Sequence, residues 1–219
     1  MRSWQDAAFA MAALIAGVCA LPLSANALTP EELYELVSPS VVIVWGSTPE
    51  GDGSLGSGVV VAPRMVATNC HVLTGQKEVE VYADESGLRA TLRAVDWRRD
   101  VCILQVAGLS APPVRVGSAE SLRVGQKVYA IGSPEGLHFT LSDGLVSGFR
   151  DFEYGVVIQT SAPISPGSSG GGLFDDRGTL VGITTSGLEE GQNLNFAHPA
   201  DWVRELLEKN RSETRRTRQ

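Results

Sequence analysis

Histidine and cysteine are scarce in this chain: three of each among 219 residues, with aromatics at 6%. Any histidine-based acid–base chemistry must therefore use His71, His138 or His198. Excess positive charge is missing as well. The formal net charge is −7, which argues against a nucleic-acid partner. No internal repeat of fixed period is present, which leaves out the solenoid and propeller classes. Nor is there a membrane-length apolar run. The longest, Ala7 to Leu21, contains Gly17, is followed by Pro22 and falls short of the about 20 residues a span needs.

What is present suits one globular domain, with 43% apolar and 20% charged residues. Arg2, the apolar run and Ala25-Asn26-Ala27 read as a signal peptide over 1–27, cleaved after Ala27. A periplasmic or secreted location is thus expected, with no stable membrane span after cleavage. Removal takes one base, Arg2, and one acid, Asp6, so the net charge is unchanged. Thr29-Pro30-Glu31-Glu32 reads as a capped helix start, and that helix should end by about Pro39. Short β-rich runs follow at 40–46, 58–62, 78–83, 88–96, 101–106, 127–132, 156–162 and 180–186, split by Gly, Pro and Asp. That pattern predicts an all-β sandwich or barrel. GLSAPP at 108–113 divides it into halves. Trp202, Val203, Leu206 and Leu207 form one apolar stripe, a C-terminal amphipathic helix over about 200–210. The basic residues Arg211 to Arg218 belong to a tail over 211–219, read as a solvated end rather than a polyanion-binding arm.

PISPGSSGGGLFDD, residues 163–176, has a linker's composition but is bracketed by the strand-like VVIQTSA and by apolar Leu173-Phe174. Its glycines permit positive φ and close backbone approach, which suits a tight loop presenting Ser165, Ser168 or Ser169 among N–H groups. A serine nucleophile needs a base and an orienter. His71, closing the β-like run MVATNCH, is a candidate base, and Asp96 and Asp100 follow in VDWRRDVCILQV. Asp100 is the better orienter because it opens an apolar strand. The order His, Asp, Ser is one of those known for a catalytic triad.

At these residues the sequence resembles the trypsin-like serine proteases, in particular the HtrA/Deg branch. SGVVVAPRMVATNCHVL is similar to the histidine block, RRDVCILQV to the aspartate block, AIGSPEGLHFTLSDGLVSGF to the bridging strands. IQTSAPISPGSSGGGLFDDRGTLVGI is similar to the serine block and NLNFAHPADWV to the closing strand and helix. The resemblance implies two six-stranded antiparallel β-barrels in a domain over 28–210. Barrel one would span about 40–110, barrel two about 114–199, and a triad of His71, Asp100 and Ser169 would lie between them. It implies an oxyanion hole at Gly167, Ser168 and Ser169, with the Gly167 and Ser169 N–H groups as donors. It places Ser165, Thr184, Thr185, Ser186 and Asn195 along the substrate. None of these is acidic, so small or medium apolar residues are expected before the scissile bond. A polypeptide substrate is implied, with no cofactor or metal, and a homo-oligomer is possible within the branch. A PDZ domain, common in that branch, is not expected within this sequence. Ser168 stands where digestive relatives have an aspartate, so zymogen-style activation is not expected.

Two other readings stand beside this one. Gly167-Ser168-Ser169-Gly170-Gly171 also fits the α/β-hydrolase elbow, with Asp175 or Asp176 and His198 completing a triad, but that elbow requires a helix immediately afterwards. A catalytically inactive binding or chaperone-like protein would keep the fold without the chemistry. Finally, Cys70 and Cys102 flank the proposed base and orienter, and an exported chain meets an oxidising compartment, so a disulfide between them is expected. The alternative is two buried free thiols.

Overall fold

The structure, a computed structural model, describes residues 27–48, 53–134, 139–185 and 194–216. Most of the signal segment, His138 and Ser186 lie outside the described residues. Helix α1, Pro30–Val37, begins with Thr29 as cap. Thr29 Oγ1 accepts the Glu32 N–H and the Glu32 carboxylate accepts the Thr29 N–H, the reciprocal arrangement its sequence predicts.

Among the described residues twelve strands follow: β1 Val41–Ser47, β2 Gly53–Ala62, β3 Met65–Thr68, β4 Glu78–Tyr82, β5 Gly87–Asp96, β6 Val101–Val106, β7 Lys127–Gly132, β8 Thr140–Phe152, β9 Gly155–Thr160, β10 Gly172–Asp175, β11 Leu180–Thr185 and β12 Asn195–Pro199. Helix α2, Ala200–Arg216, ends the described chain. It runs past the expected end near residue 210, so the first part of the basic tail continues the helix. Arg215 and Arg216 lie in its last turn, where positive charge complements the helix dipole.

The strands close into two antiparallel barrels, ordered β1-β2-β3-β6-β5-β4 and β7-β8-β9-β12-β11-β10. The second repeats the winding of the first. The apolar runs have no clean alternation because both faces of the central strands are covered. In β2, Val60 points into barrel one while Val59 and Val61 join a cluster shared between the barrels. In β6, Cys102 and Leu104 point inward while Val101 and Ile103 face that shared cluster. Ile131, Phe174 and Ile183 meet them from barrel two, and Leu33 and Val37 of α1 and Trp202, Val203 and Leu206 of α2 join the same cluster. Phe174 is fully buried there, which stabilises the contact by about 2–3 kcal/mol. The interface between barrels is therefore a packed core, and the site at its rim is built on rigid strands.

Candidate active site

Pairing of β3 with β6 sets the first half of the site. Thr68 lies opposite Cys102, so Asn69, Cys70 and His71 beyond the end of β3 meet Asp100 just before β6. His71 starts a single helical turn, His71–Leu73. Asp100 has φ 53°, a left-handed conformation that aspartate tolerates better than most residues. This backbone turns its carboxylate onto His71. Asp100 Oδ1 accepts the His71 main-chain N–H at 2.8 Å, and Oδ2 lies 2.7 Å from Nδ1. The carboxylate can only accept from a neutral ring, so Nδ1 carries the proton and Nε2 keeps its lone pair. Asp96, the other candidate orienter, accepts the Arg99 N–H instead. Behind the pair, a disulfide joins Cys70 and Cys102, with α-carbons 5.0 Å apart.

The serine turn supplies the other half. Gly167 and Gly170 both have φ 89°, and the turn is tied to barrel one by the Ser57 N–H, which donates to the Ser169 carbonyl at 2.8 Å. Gly170 needs its missing side chain: a Cβ there would lie 2.1 Å from the Ser57 carbonyl oxygen. A Cβ on Gly56 would touch both Val72, next to His71, and the Ser169 carbonyl. The turn and the His71 segment are thus packed against one residue. No hydrogen bond joins Ser169 Oγ to His71 among the described residues. The Ser168 N–H, which is not one of the two expected donors, is occupied within the turn, donating to the Ser165 carbonyl at 2.9 Å. The Gly167 and Ser169 N–H groups have no acceptor among the described residues.

The expected substrate-binding residues divide. Thr185 is half-buried and lines a cavity of about 350 Å³ with His71, Asp100, Arg98, Phe152 and Tyr154. Thr184 is buried, its hydroxyl donates to the Ser168 carbonyl, and with Ser165, Ser168, Ile131 and Ser142 it lines a second, smaller cavity of about 100 Å³ beside the turn. Asn195 pairs with Thr160 at the start of β12, and Ser165 is exposed on the turn. The hydrolase elbow is excluded, since strand β10 rather than a helix follows Ser169 and Asp175 is occupied capping its own turn through the Arg177 and Thr179 N–H groups.

Asn69 and His198 were not expected at the site. Asn69 Nδ2 donates to the Asp100 carbonyl at 3.0 Å and stands 3.3 Å from His198 Nδ1. An amide nitrogen only donates, so His198 accepts at Nδ1 and holds its proton on Nε2. Burial, opposed by the attraction of Asp100, lowers the His198 pKa to about 4. It is a neutral ring packed against Tyr154 and Trp202. Asn69 Oδ1 is buried without a partner. Flipping the amide would turn that oxygen onto the Asp100 carbonyl, so the unpaired atom is the cost of the two donated bonds. Nothing in the local sequence signals this contact across 129 positions.

Comparison with known proteins agrees with the two-barrel fold. Residues 56–183 match the trypsin-like peptidase domain family. A probable periplasmic serine endoprotease DegP-like from Pseudomonas savastanoi pv. phaseolicola is 39% identical over 176 residues, covering 71% of this chain and 36% of the relative. Protease Do-like 1, chloroplastic, from Arabidopsis thaliana is 35% identical over 214 residues, covering 83% and 47%. The chain thus spans between about a third and a half of such relatives. Among solved structures, the Rv3671c protease from M. tuberculosis in its active form superposes with a TM-score of 0.76 at 28% identity, covering 84% of this chain and 88% of that one. The HtrA-type protease AlgW with tripeptide gives 0.74 at 29% identity, covering 80% and 61%. With residues 56–183 matched, this chain belongs to the trypsin-like peptidase domain family.

Proposed function

We propose that this chain is a serine endopeptidase acting on extracytoplasmic polypeptides, with Ser169 as nucleophile, His71 as base and Asp100 as orienter. The observation that carries the reading is the doubly bonded His71–Asp100 pair at the rim of the interface where the Ser169 turn leaves two N–H groups without acceptors. Ser169 Oγ attacks the peptide carbonyl carbon as its proton passes to His71 Nε2. The carbonyl oxygen gains negative charge and is met by the Gly167 and Ser169 N–H groups. His71 then protonates the leaving amine, which departs and leaves an acyl-enzyme. Water, deprotonated by the same ring, hydrolyses the ester and restores the serine. Asp100 keeps the proton on Nδ1 and stabilises the imidazolium while it exists.

Related proteins named as periplasmic endoproteases support the extracytoplasmic setting, and no helix among the described residues is long and apolar enough to cross a membrane. Ser165, Thr185 and Asn195 offer no carboxylate, which supports small or medium apolar residues before the scissile bond. Digestion of unfolded casein by the purified chain tests the reading. Ser169→Ala should lower turnover by on the order of 10⁶ with the fold intact. Retained activity in Ser169→Ala with loss in Ser168→Ala would reassign the nucleophile.

A further inference from the structure

Two buried hydroxyls, one from each barrel, grip the peptide planes of the serine turn. In a trans peptide the C=O and N–H point in opposite directions, so anchoring the carbonyl aims the amide. The Ser168 carbonyl accepts from Thr184 Oγ1 at 2.7 Å and from the Gly171 N–H at 3.0 Å. Its peptide partner, the Ser169 N–H, is thereby turned away from Thr184. The next plane back is held in the same way. The Gly167 carbonyl accepts from Ser57 Oγ at 2.8 Å, while the N–H of that peptide, on Ser168, donates to Ser165.

The direction of the Ser57 hydrogen bond is fixed. The Ser133 N–H donates to Ser57 Oγ at 2.8 Å, so the oxygen accepts there and its single proton goes to Gly167. Ser57 is fully buried, its N–H holds the Ser169 carbonyl, and its own carbonyl accepts from Thr68 Oγ1 at 2.7 Å. One residue of barrel one thus grips the turn on both sides of Ser168. Gly167, at φ 89°, has no Cβ to restrict it, so its conformation relies on such anchors.

We propose that Ser57 and Thr184 are positioning residues for the oxyanion: Thr184 aims the Ser169 N–H, and Ser57 holds the peptide planes on either side of that one, fixing the conformation of Gly167, the second donor. This rests on the proteolytic reading above and adds two residues whose hydroxyls bond the turn's own carbonyls. Their effect belongs to the charged, tetrahedral state, because a neutral ground-state carbonyl draws less from those donors.

Peptide boronic acids separate the two states. Ser169 Oγ adds to the trigonal boron, its proton passes to His71, and no group leaves. The resulting tetrahedral boronate places an oxygen where the oxyanion would sit. Affinity for such a peptide is measured beside that for the same peptide with hydrogen in place of the boronic acid. Ser57→Ala and Thr184→Val should each weaken the boronate by about 10- to 100-fold and shift the hydrogen analogue by less than about twofold. Thr184→Ser should recover most of the loss. Should Ser57→Ala fail to fold, Ser57→Cys keeps the volume with a weaker donor, and the same selective loss is expected. Equal losses for both ligands, or no loss for either, would overturn the positioning role. A wild-type chain that does not bind the boronate at all would instead overturn the proteolytic reading on which it rests.

Discussion

Cys70 and Cys102 are bonded directly behind the His71–Asp100 pair, Cys70 preceding the base and Cys102 two residues after the orienter. Both cysteines are buried in the barrel-one cluster that also holds Val44, Val66 and Leu104. The bridge closes a separation of 32 residues, for which chain entropy gives about 3–4 kcal/mol of stabilisation. Cys70→Ala/Cys102→Ala should unfold at correspondingly lower denaturant and turn substrate over more slowly. Titration of denatured, unreduced wild type should find no thiol from this pair. Two free thiols from it would contradict the bridge.

Asp100 can be changed with little disturbance to the backbone, since asparagine also tolerates the left-handed conformation seen at φ 53°. Asp100→Asn should therefore fold normally. Its amide cannot stabilise the imidazolium and can hold the ring in the wrong tautomer, so turnover should fall by about 10⁴. Activity within tenfold of wild type, measured with the same peptide, would remove Asp100 from the mechanism.

Gly125 and Gly170 have nearly the same φ, 87° and 89°, but different surroundings. Nothing lies within 4 Å of a Cβ on Gly125, whereas one on Gly170 meets the Ser57 carbonyl oxygen and Thr68 Oγ1. Gly125→Ala should cost only the conformational strain, about 1 kcal/mol, and leave activity unchanged. Gly170→Ala should cost more and displace the serine turn, with loss of activity. Equal effects in thermal denaturation and hydrolysis assays would show that the close approach to Ser57 is unimportant.

His198 gives the fold an acid sensitivity. Its pKa is lowered from 6.5 to about 4, so between these values the unfolded chain binds the extra proton and the folded chain does not. Its contribution falls as pH drops through that window, by on the order of 3 kcal/mol in all, and is restored as pH rises. His198→Phe should be flatter from pH 6.5 to 4 in urea denaturation. An unchanged acid slope would place the sensitivity elsewhere.

The sequence made the local parts of the site readable and hid the cross-chain ones. The histidine, aspartate and serine blocks are short contiguous patterns, and the Thr29–Glu32 cap lies within four residues. Strand β8 was not apparent from the residues themselves because Ser142, Asp143, Gly144 and Ser147-Gly148 break the apolar pattern. Gly144 is there because Ala162 N approaches the place its Cβ would occupy, at 2.2 Å. The repeated winding of the two barrels has no counterpart in a fixed sequence period, since it resides in strand pairing rather than spacing. The roles of Ser57, Asn69 and His198 depend on contacts over 110 and 129 positions, beyond any local pattern.

Active-site phosphonylation tests the central claim most directly. Ser169 Oγ should displace fluoride from a fluorophosphonate and form one phosphorus–oxygen bond, with its proton taken up by His71. Intact-mass measurement should show one adduct per wild-type chain, and peptide mapping should place it on Ser169. Labelling should persist in Ser168→Ala and vanish in Ser169→Ala, while both variants melt as wild type does. A folded wild-type chain that takes up no label, or one whose adduct maps to another residue, would contradict the account.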